Sequence, residues 1–474
     1  MTPSRILVRP TAGAAACAKQ SFTPSRGAYR KLRSDRTFAS VSSTPISPAR
    51  NHKVVVVGGG SAGLTVSHQL LRSGKFTHDD IAVVDPAEWH HYQPGWTLVG
   101  GGLKDKHALK RPLQSLVDPK LKLYSDPVAA FAPEDNTVTL GNGATLTYDQ
   151  LVVAPGIKVD LASIKGLPEA SSNPDSNVSC IYTFDTVDKT FPTIRRLRSG
   201  QAIFTQPAGV VKCAGAPQKI MWLALDHWKR AGLYNNNNNN NNSNSSPIQI
   251  AFATGLPVMF GVPKYSAALE ALRQERGVEG LFGHDLVEID GDTAVFARPP
   301  TDGKPPPLVR RRFDLMHVVP KMGAHAFVKN SPLANEAGFV DVDDATLRHR
   351  RFANVWSAGD ASSLPTSKTA AAITAQAPVL VGNLLRAMEE GGGGGEAVPG
   401  YDGYTSCPLL TEYGKVMLAE FKYGGVPQET FNRVGWDQAT PRRAFYHLKK
   451  DFFPWVYYQS MVKGTWGGPK GWLS

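Results

Sequence analysis

The sequence predicts an α/β fold with two Rossmann-like halves and an amphipathic, membrane-associating C-terminal region, and three observations carry that prediction. A β-branched run at 53–58 (KVVVVG) enters the glycine turn Gly58-Gly59-Gly60-Ser61-Ala62-Gly63 and then a helical pattern from Ser61 to about Arg72. Short strand-like runs recur at 81–85, 121–124, 137–140, 150–154, 201–205 and 248–253, interleaved with helical stretches such as 216–229. The segment 445–458 (FYHLKKDFFPWVYY) interleaves aromatic rings with His447, Lys449 and Lys450, a composition suited to a bilayer interface.

At 474 residues the chain has room for two or three domains, and 42% hydrophobic with 19% charged residues describes a core-forming protein, not a disordered one. There is no run of about 18 apolar residues, so no segment is expected to span a bilayer as a helix. Four cysteines are too few for a disulfide scaffold, which turns attention to their reactivity; no metal site is expected. Of the net charge of +12, residues 1–50 hold +8, with nine basic side chains and one acid. Arg-rich, Ser/Thr/Ala-rich and acid-poor composition is that of an organelle transit peptide, and Arg36-Thr37-Phe38-Ala39-Ser40 resembles a matrix-protease site, pointing to the mitochondrion. A basic tail that binds nucleic acid is the alternative. The remainder, at +4, is only mildly basic and gives no reason to expect a nucleic-acid partner.

The expected organisation is a transit segment at 1–50, a first nucleotide-binding domain at 51–165 completed by a return at 326–390, a second Rossmann-like domain at 166–325, and a C-terminal region at 391–474. The Asn-rich tract at 235–246 reads as a disordered surface insertion and the glycines at 391–395 as a flexible joint. No repeat of the solenoid kind is present.

In the first turn, Gly58 makes the tight bend, Gly60 lets the backbone reach a pyrophosphate, and Gly63 allows close helix–strand packing. The N–H groups at Ser61 and Ala62 then face phosphates at the positive end of a helix. Asp85, 22 residues beyond Gly63, is placed to accept from a ribose hydroxyl. Residues 151–156 (LVVAPG), ending on Gly156, and 354–360 (NVWSAGD) resemble the returning segments of flavoproteins with two dinucleotide domains. In those proteins the Gly-Asp carboxylate holds the flavin, so Asp360 takes that role and FAD is implied. The second strand, 248–253, leads into TGLPVMFG (254–261), which lacks a glycine fingerprint and loses an N–H at Pro257, so direct NAD(P)H binding is not expected.

Cys213 lies in VKCAGAPQKIM (211–221), where Lys212, Lys219 and a following helix N-terminus would stabilise a thiolate. Cys407 lies in YTSCPL (404–409). The two do not form a CxxC pair, and any partnership between them must be made by the fold.

Six segments add to this: YQPGWTLVG (92–100), VKCAGAPQKIMWL (211–223), FGVPKY (260–265), LPTSKTAAA (364–372), YDGYTSCPLL (401–410) and GTWGGP (464–469). Through them the chain, from about Lys53 onward, resembles the mitochondrial sulfide:quinone oxidoreductases, FAD-dependent flavoproteins with a disulfide-reductase-like fold. The resemblance implies that Cys213 and Cys407 are the redox-active pair, bridged in the resting enzyme. It implies FAD contacts at Ser61, Ala62, Asp85, Gln93, Val128, Asp360, Lys368, Thr369, Ala370 and Ala371, with Lys368 near the isoalloxazine; Cys180 reads as structural. It further implies oxidation of hydrogen sulfide, ubiquinone as electron acceptor, and transfer of sulfur from a Cys407 persulfide to glutathione, sulfite or a second sulfide. The C-terminal segment, divided at Pro454 and extended by Trp466 and Trp472 with Lys463 and Lys470, would dip into the matrix face of the inner membrane as a hairpin. A helix packed on the core or in a dimer interface is its alternative. Competing readings are a type II NADH:quinone oxidoreductase, which needs the missing NADH fingerprint, and a non-catalytic flavin-binding redox partner. A thioredoxin-reductase-like enzyme would need a CxxC.

Overall fold

The computed structural model describes residues 50–235, 246–300, 304–389 and 400–469. The transit segment up to residue 49 with Cys17, most of the Asn-rich tract, the glycine joint, and Lys470 and Trp472 lie outside the described residues. Strand β1 (Arg50–Val57) is followed by helix α1 (Ser61–Arg72), then β2 (Ile81–Val84), β3 (Lys122–Tyr124), β4 (Val128–Ala132), β5 (Thr137–Leu140) and β6 (Thr145–Val153). Val54–Val57 and Ile81–Val84 are buried throughout, as expected of parallel strands covered on both faces.

These strands form one sheet in the order β3-β2-β1-β6-β5-β4, and a late strand, Val355–Ser357, pairs parallel with β6. Val57 is in register with both Val84 and Val153, and Val153 with Ser357. The strands therefore stop at one level, and the turns after residues 57, 153 and 357 emerge along a single edge. That carboxyl edge is where open α/β sheets bind ligands.

The second parallel sheet contains β7 (Val178–Ser179), β8 (Gly200–Gln206), β9 (Ile248–Thr254), β10 (Glu279–Phe282) and β11 (Leu315–His317), in the order β7-β11-β8-β9-β10. Helix α2 (Ala216–Arg230) joins β8 to β9. Both expected Rossmann-like sheets are thus present. Helix α3 (Ala370–Glu389) follows the return strand, and a small antiparallel sheet, β12 (Thr405–Glu412) with β13 (Lys415–Lys422), packs against α2.

Residues 443–461 correct the two-piece hairpin expected at Pro454. They are helical without a break: Arg443–His447 and Phe453–Val456 are α-helical, and Leu448–Phe452 and Tyr457–Met461 are π-helical turns. Pro454 sits in the first turn of the second α segment, where the shifted bonding of the preceding π turn accommodates its missing N–H. Phe445, Tyr457, Tyr458 and Met461 face inward, while Trp455 is 59% exposed. The following residues lie along α1, with Arg72 Nε donating to Lys463 O at 2.9 Å. Among the described residues, no helix is long and apolar enough to cross a membrane.

A Cβ on Gly63 would stand 1.8 Å from Gly58 O, whereas one on Gly60 would meet nothing within 4 Å. Gly63→Ala should therefore destabilise the apoprotein by at least about 1–3 kcal/mol, as overpacking does. Gly60→Ala should leave the thermal midpoint essentially unchanged. Thermal unfolding of both variants checks the contrast.

Candidate active site

Gly58 has φ +103°, and a Cβ there would be 2.4 Å from Ala154 O, so only glycine lets the β1 turn lie against the β6 turn. Gly60 caps α1 without any side-chain hydrogen bond, leaving the first-turn N–H groups free for an anion. Gly60, Ser61 and Ala62 line a deep cavity together with Gln93, Gly156, Asp360, Lys368 and the start of α3 at Thr369, Ala370 and Ala371. Burial pushes the Asp360 carboxyl up, against the opposing pull of Lys212 and Lys368.

Three of the expected cofactor residues have different first duties. Asp85 accepts from Gly59 N–H at 2.6 Å and from Ala87 N–H at 2.8 Å, so its carboxylate locks the glycine turn from beneath. Val128 is a buried core residue at the start of β4 and does not line the cavity. Lys368 donates to Ser362 O at 2.6 Å, which anchors its ammonium to its own loop, and burial lowers its pKa to about 8.

The fold brings the two distant cysteines together. Cys213 and Cys407 are free thiols with their sulfurs 3.8 Å apart. Cys213 occupies a left-handed conformation (φ +53°), unusual for a residue with a Cβ, and is pinned by its N–H donating to Lys368 O at 2.8 Å. Strand β12 supplies Cys407, opposite Ala419 in register. Gly215 lets that strand come close, since a Cβ there would be 2.2 Å from Leu409 and 3.6 Å from Cys407 Cβ.

The electrostatics around the pair differ from the expectation. Lys212 does not serve the thiolate; its ammonium donates to Gln93 Oε1 at 2.9 Å. Lys219, only 2% exposed in the first turns of α2, donates to Cys213 Sγ at 3.2 Å. The second cation is Lys449, 4% exposed, which enters from the C-terminal helical run. The hydrogen bond from Cys407 holds the Cys213 thiol well below its usual range, and Lys219 and Lys449 add to that pull against burial. The same bond, with burial, pushes Cys407 well up. Ionisation within the pair therefore favours Cys213 over Cys407. Burial lowers Lys449 itself to about 7.

Lys449, which its aromatic and basic neighbours in sequence mark as lipid-facing, is instead buried. The signal that could have found it is its place four residues after Phe445, on the buried side of the run. Glu420 was also missed: it is buried in the cavity wall, accepting from Tyr404 OH at 2.5 Å and Thr430 N–H at 2.8 Å. Cys180 is fully buried, with its thiol pushed up to about 12 by desolvation, which suits an inert core residue. The cavity lining also includes the apolar side chains of Phe431, Leu448, Phe453, Val456 and Trp466.

A glycine cradle at the carboxyl edge of a parallel sheet, opening onto a cysteine pair, defines the class of flavoprotein disulfide oxidoreductases. The family model for pyridine nucleotide-disulphide oxidoreductases matches residues 52–201. The mitochondrial sulfide:quinone oxidoreductase of Schizosaccharomyces pombe is 45% identical over 458 residues, covering 92% of this chain and 95% of that protein. Its counterpart in Mus musculus is 38% identical, with 89% of each chain covered. The crystal structure of the sulfide:quinone oxidoreductase of Aquifex aeolicus shares the fold at a TM-score of 0.67 and 16% identity, covering 87% of this chain and 92% of that one. The chain belongs to the mitochondrial sulfide:quinone oxidoreductase family.

Because two cations favour the Cys213 thiolate, removing either should move its ionisation to higher pH. Lys219→Met, which also removes a hydrogen bond, should move it further than Lys449→Met. The pH dependence of alkylation of the reduced protein by iodoacetamide reads both shifts directly; an unmoved profile in Lys219→Met would contradict the assignment.

Proposed function

We propose that the chain oxidises hydrogen sulfide and passes two electrons through FAD to ubiquinone, as the names of its relatives indicate for them. The observation that carries this reading is the 3.8 Å cysteine pair, flanked by Lys219, in the same cavity as the phosphate-type glycine turn. The cradle fits the cofactor: the space at Gly60 is open, the α1 N-terminus is unclaimed, and Asp360 lines the cavity. Gly58, Gly63 and Asp85 would shape the phosphate turn. Ser61, Ala62, Gln93, Gly156, Asp360 and residues 368–371 would line the cofactor, and Val128 could reach it only through its main chain. When bound, FAD supplies a two-electron acceptor beside the sulfur and a donor to the quinone.

With the Cys213–Cys407 bridge closed, hydrosulfide attacks the Cys407 sulfur. A new S–S bond forms, the old one breaks, and Cys213 leaves as the thiolate that Lys219 and Lys449 stabilise. Cys407 then carries the persulfide. Glutathione, sulfite or a second sulfide takes its outer sulfur, returning Cys407 as a thiol. Reclosing the Cys213–Cys407 bridge gives up the Cys407 proton and two electrons, which the two-electron acceptor FAD would take when bound, completing the oxidation of one sulfide to the sulfane level. Lys449, near neutrality in its burial, can hold or yield a proton beside the reacting sulfurs at physiological pH.

Electrons come from sulfide and not from NAD(P)H: the turn after β9 carries Pro257, and a Cβ on Gly255 would be 2.5 Å from Ala208 N. The apolar end of the cavity suits a quinone ring, and exposed Trp455 beside it suits a bilayer interface. Together with the transit-type composition of residues 1–50, this supports a peripheral position on the matrix face of the mitochondrial inner membrane, with no nucleic-acid partner. The domains follow as proposed from the sequence, with 51–165 and 326–390 forming the FAD-binding unit.

Anaerobic sulfide should bleach the purified flavoprotein, short-chain ubiquinone should restore its colour, and NADH should do nothing. Cys407→Ser should not bleach; normal bleaching in that variant would overturn the scheme. Trp455→Ser should reduce co-sedimentation with cardiolipin-containing liposomes several-fold while leaving sulfide bleaching intact.

A further inference from the structure

A hydrogen-bond chain runs from the C-terminal helical run into the phosphate-type turn, and its direction can be worked out from one end. His90 Nδ1 is 3.0 Å from Gly59 O, and a carbonyl can only accept, so Nδ1 carries a proton. His90 is buried and has no carboxylate partner among the described residues, and burial lowers its pKa to about 4, so the ring is neutral and Nε2 is an acceptor. Tyr457 OH, 2.7 Å from Nε2, must therefore donate to it. Its single proton is then spent, and the 2.5 Å contact between Tyr457 and Ser61 requires Ser61 to donate to the tyrosine oxygen. Each group in the chain has one role left to it, and the order is Ser61 to Tyr457 to His90 to Gly59.

Ser61 opens α1 and lines the cradle, and Gly59 is the residue that Asp85 grips from the other side. Tyr457 is fully buried and comes from a segment some 400 residues away in sequence. A neighbour repeats the attachment: Tyr458 OH donates to Leu109 O at 2.8 Å.

We infer that Tyr457, acting through His90 and Ser61, is a positioning residue for the cofactor's phosphate turn, so that the C-terminal helical run is a wall of the cofactor site as well as its mouth. The inference rests on the FAD reading above. It follows that the Ser61 hydroxyl is committed to the tyrosine and that the anion is held by main-chain N–H groups at the helix start, not by the serine side chain.

The test is FAD affinity of the apoprotein, read by quenching of flavin fluorescence. Tyr457→Phe removes two hydrogen bonds and should weaken FAD binding by the folded apoprotein about tenfold or more, with a modest fall in its thermal midpoint from the unpaired His90 Nε2. Ser61→Ala should weaken it by a similar factor, and the double variant should lose little more, because the two residues share one interaction. His90→Gln, whose amide can still donate to Gly59 and accept from Tyr457, should bind better than His90→Leu. Wild-type affinity in Tyr457→Phe, or fully multiplicative losses in the double variant, would overturn the inference while leaving the FAD reading intact. Failure of the wild-type apoprotein to bind FAD would instead overturn that reading. If Tyr457→Phe does not fold, the His90→Gln and His90→Leu comparison decides alone.

Discussion

The molecule is organised by the contact between the glycine turn after β1 and the end of β6. A Cβ at Gly58 would strike Ala154 O, and one at Gly63 would strike Gly58 O, so strand, turn and helix are in main-chain contact at both places. That contact fixes where α1 begins, and hence where its unclaimed N–H groups point. The return strand then needs only to pair with β6 to bring Asp360 to the same edge. The cysteine turn is tied to this frame by the Cys213 N–H bond to Lys368 O, and the C-terminal run by Tyr457. Chemistry gathered from residues 58, 213, 360, 407 and 449 thus depends on one close approach of two backbones.

Charge is concentrated where water is scarce. Lys212, Lys219, Lys368 and Lys449 all line the cavity, and burying ammonium groups costs free energy unless each finds a partner. Lys212 has Gln93, Lys368 has two main-chain carbonyls, and Lys219 has the Cys213 sulfur. Among the described residues Lys449 has a single hydrogen-bond partner, the Pro94 carbonyl at 3.4 Å, and it carries the strongly lowered pKa. The arrangement favours a thiolate over a thiol at Cys213 and gives a small anion a reason to enter an otherwise apolar cleft. A net charge of +12 for the whole chain would have suggested none of this, since most of it lies in residues 1–50.

Local patterns in the sequence made much of the fold legible. Four consecutive valines ahead of a glycine turn located β1 and α1, and α1 begins and ends where the pattern said it would. Motif order also brought Cys213 and Cys407 into one hypothesis. What failed were statements about side-chain direction. Lys212 and Lys219 both flank Cys213 in sequence, yet only Lys219 reaches the sulfur, because helix α2 turns it back toward its own N-terminus while Lys212 departs toward Gln93. Pro454 by itself predicts a break, whereas the chain shifts register through a π turn, an outcome that depends on what the helix packs against and not on the proline alone. Lys449 and Tyr457 look interfacial by composition and are buried, since the tertiary contacts of Lys449 beside the cysteines and of Tyr457 with residues 61 and 90 have no trace in local pattern.

The C-terminal run joins properties that would ordinarily be separate. Trp455 faces outward, while Lys449, six residues before it, is buried beside the cysteines, and Tyr457, two residues after it, holds the glycine turn. A helix anchored at both ends to the reacting centre cannot move as an independent membrane tether. Anything that displaces Trp455 must either bend the π turns on each side or disturb the cysteine pair and the cofactor cradle together. π turns are the weaker link, since their hydrogen bonding is already shifted from the α register. Local give at those two turns would let the exposed ring shift while Lys449 and Tyr457 stay fixed. The irregular helix around Pro454 thus separates an outward-facing ring from the rigid contacts on either side of it.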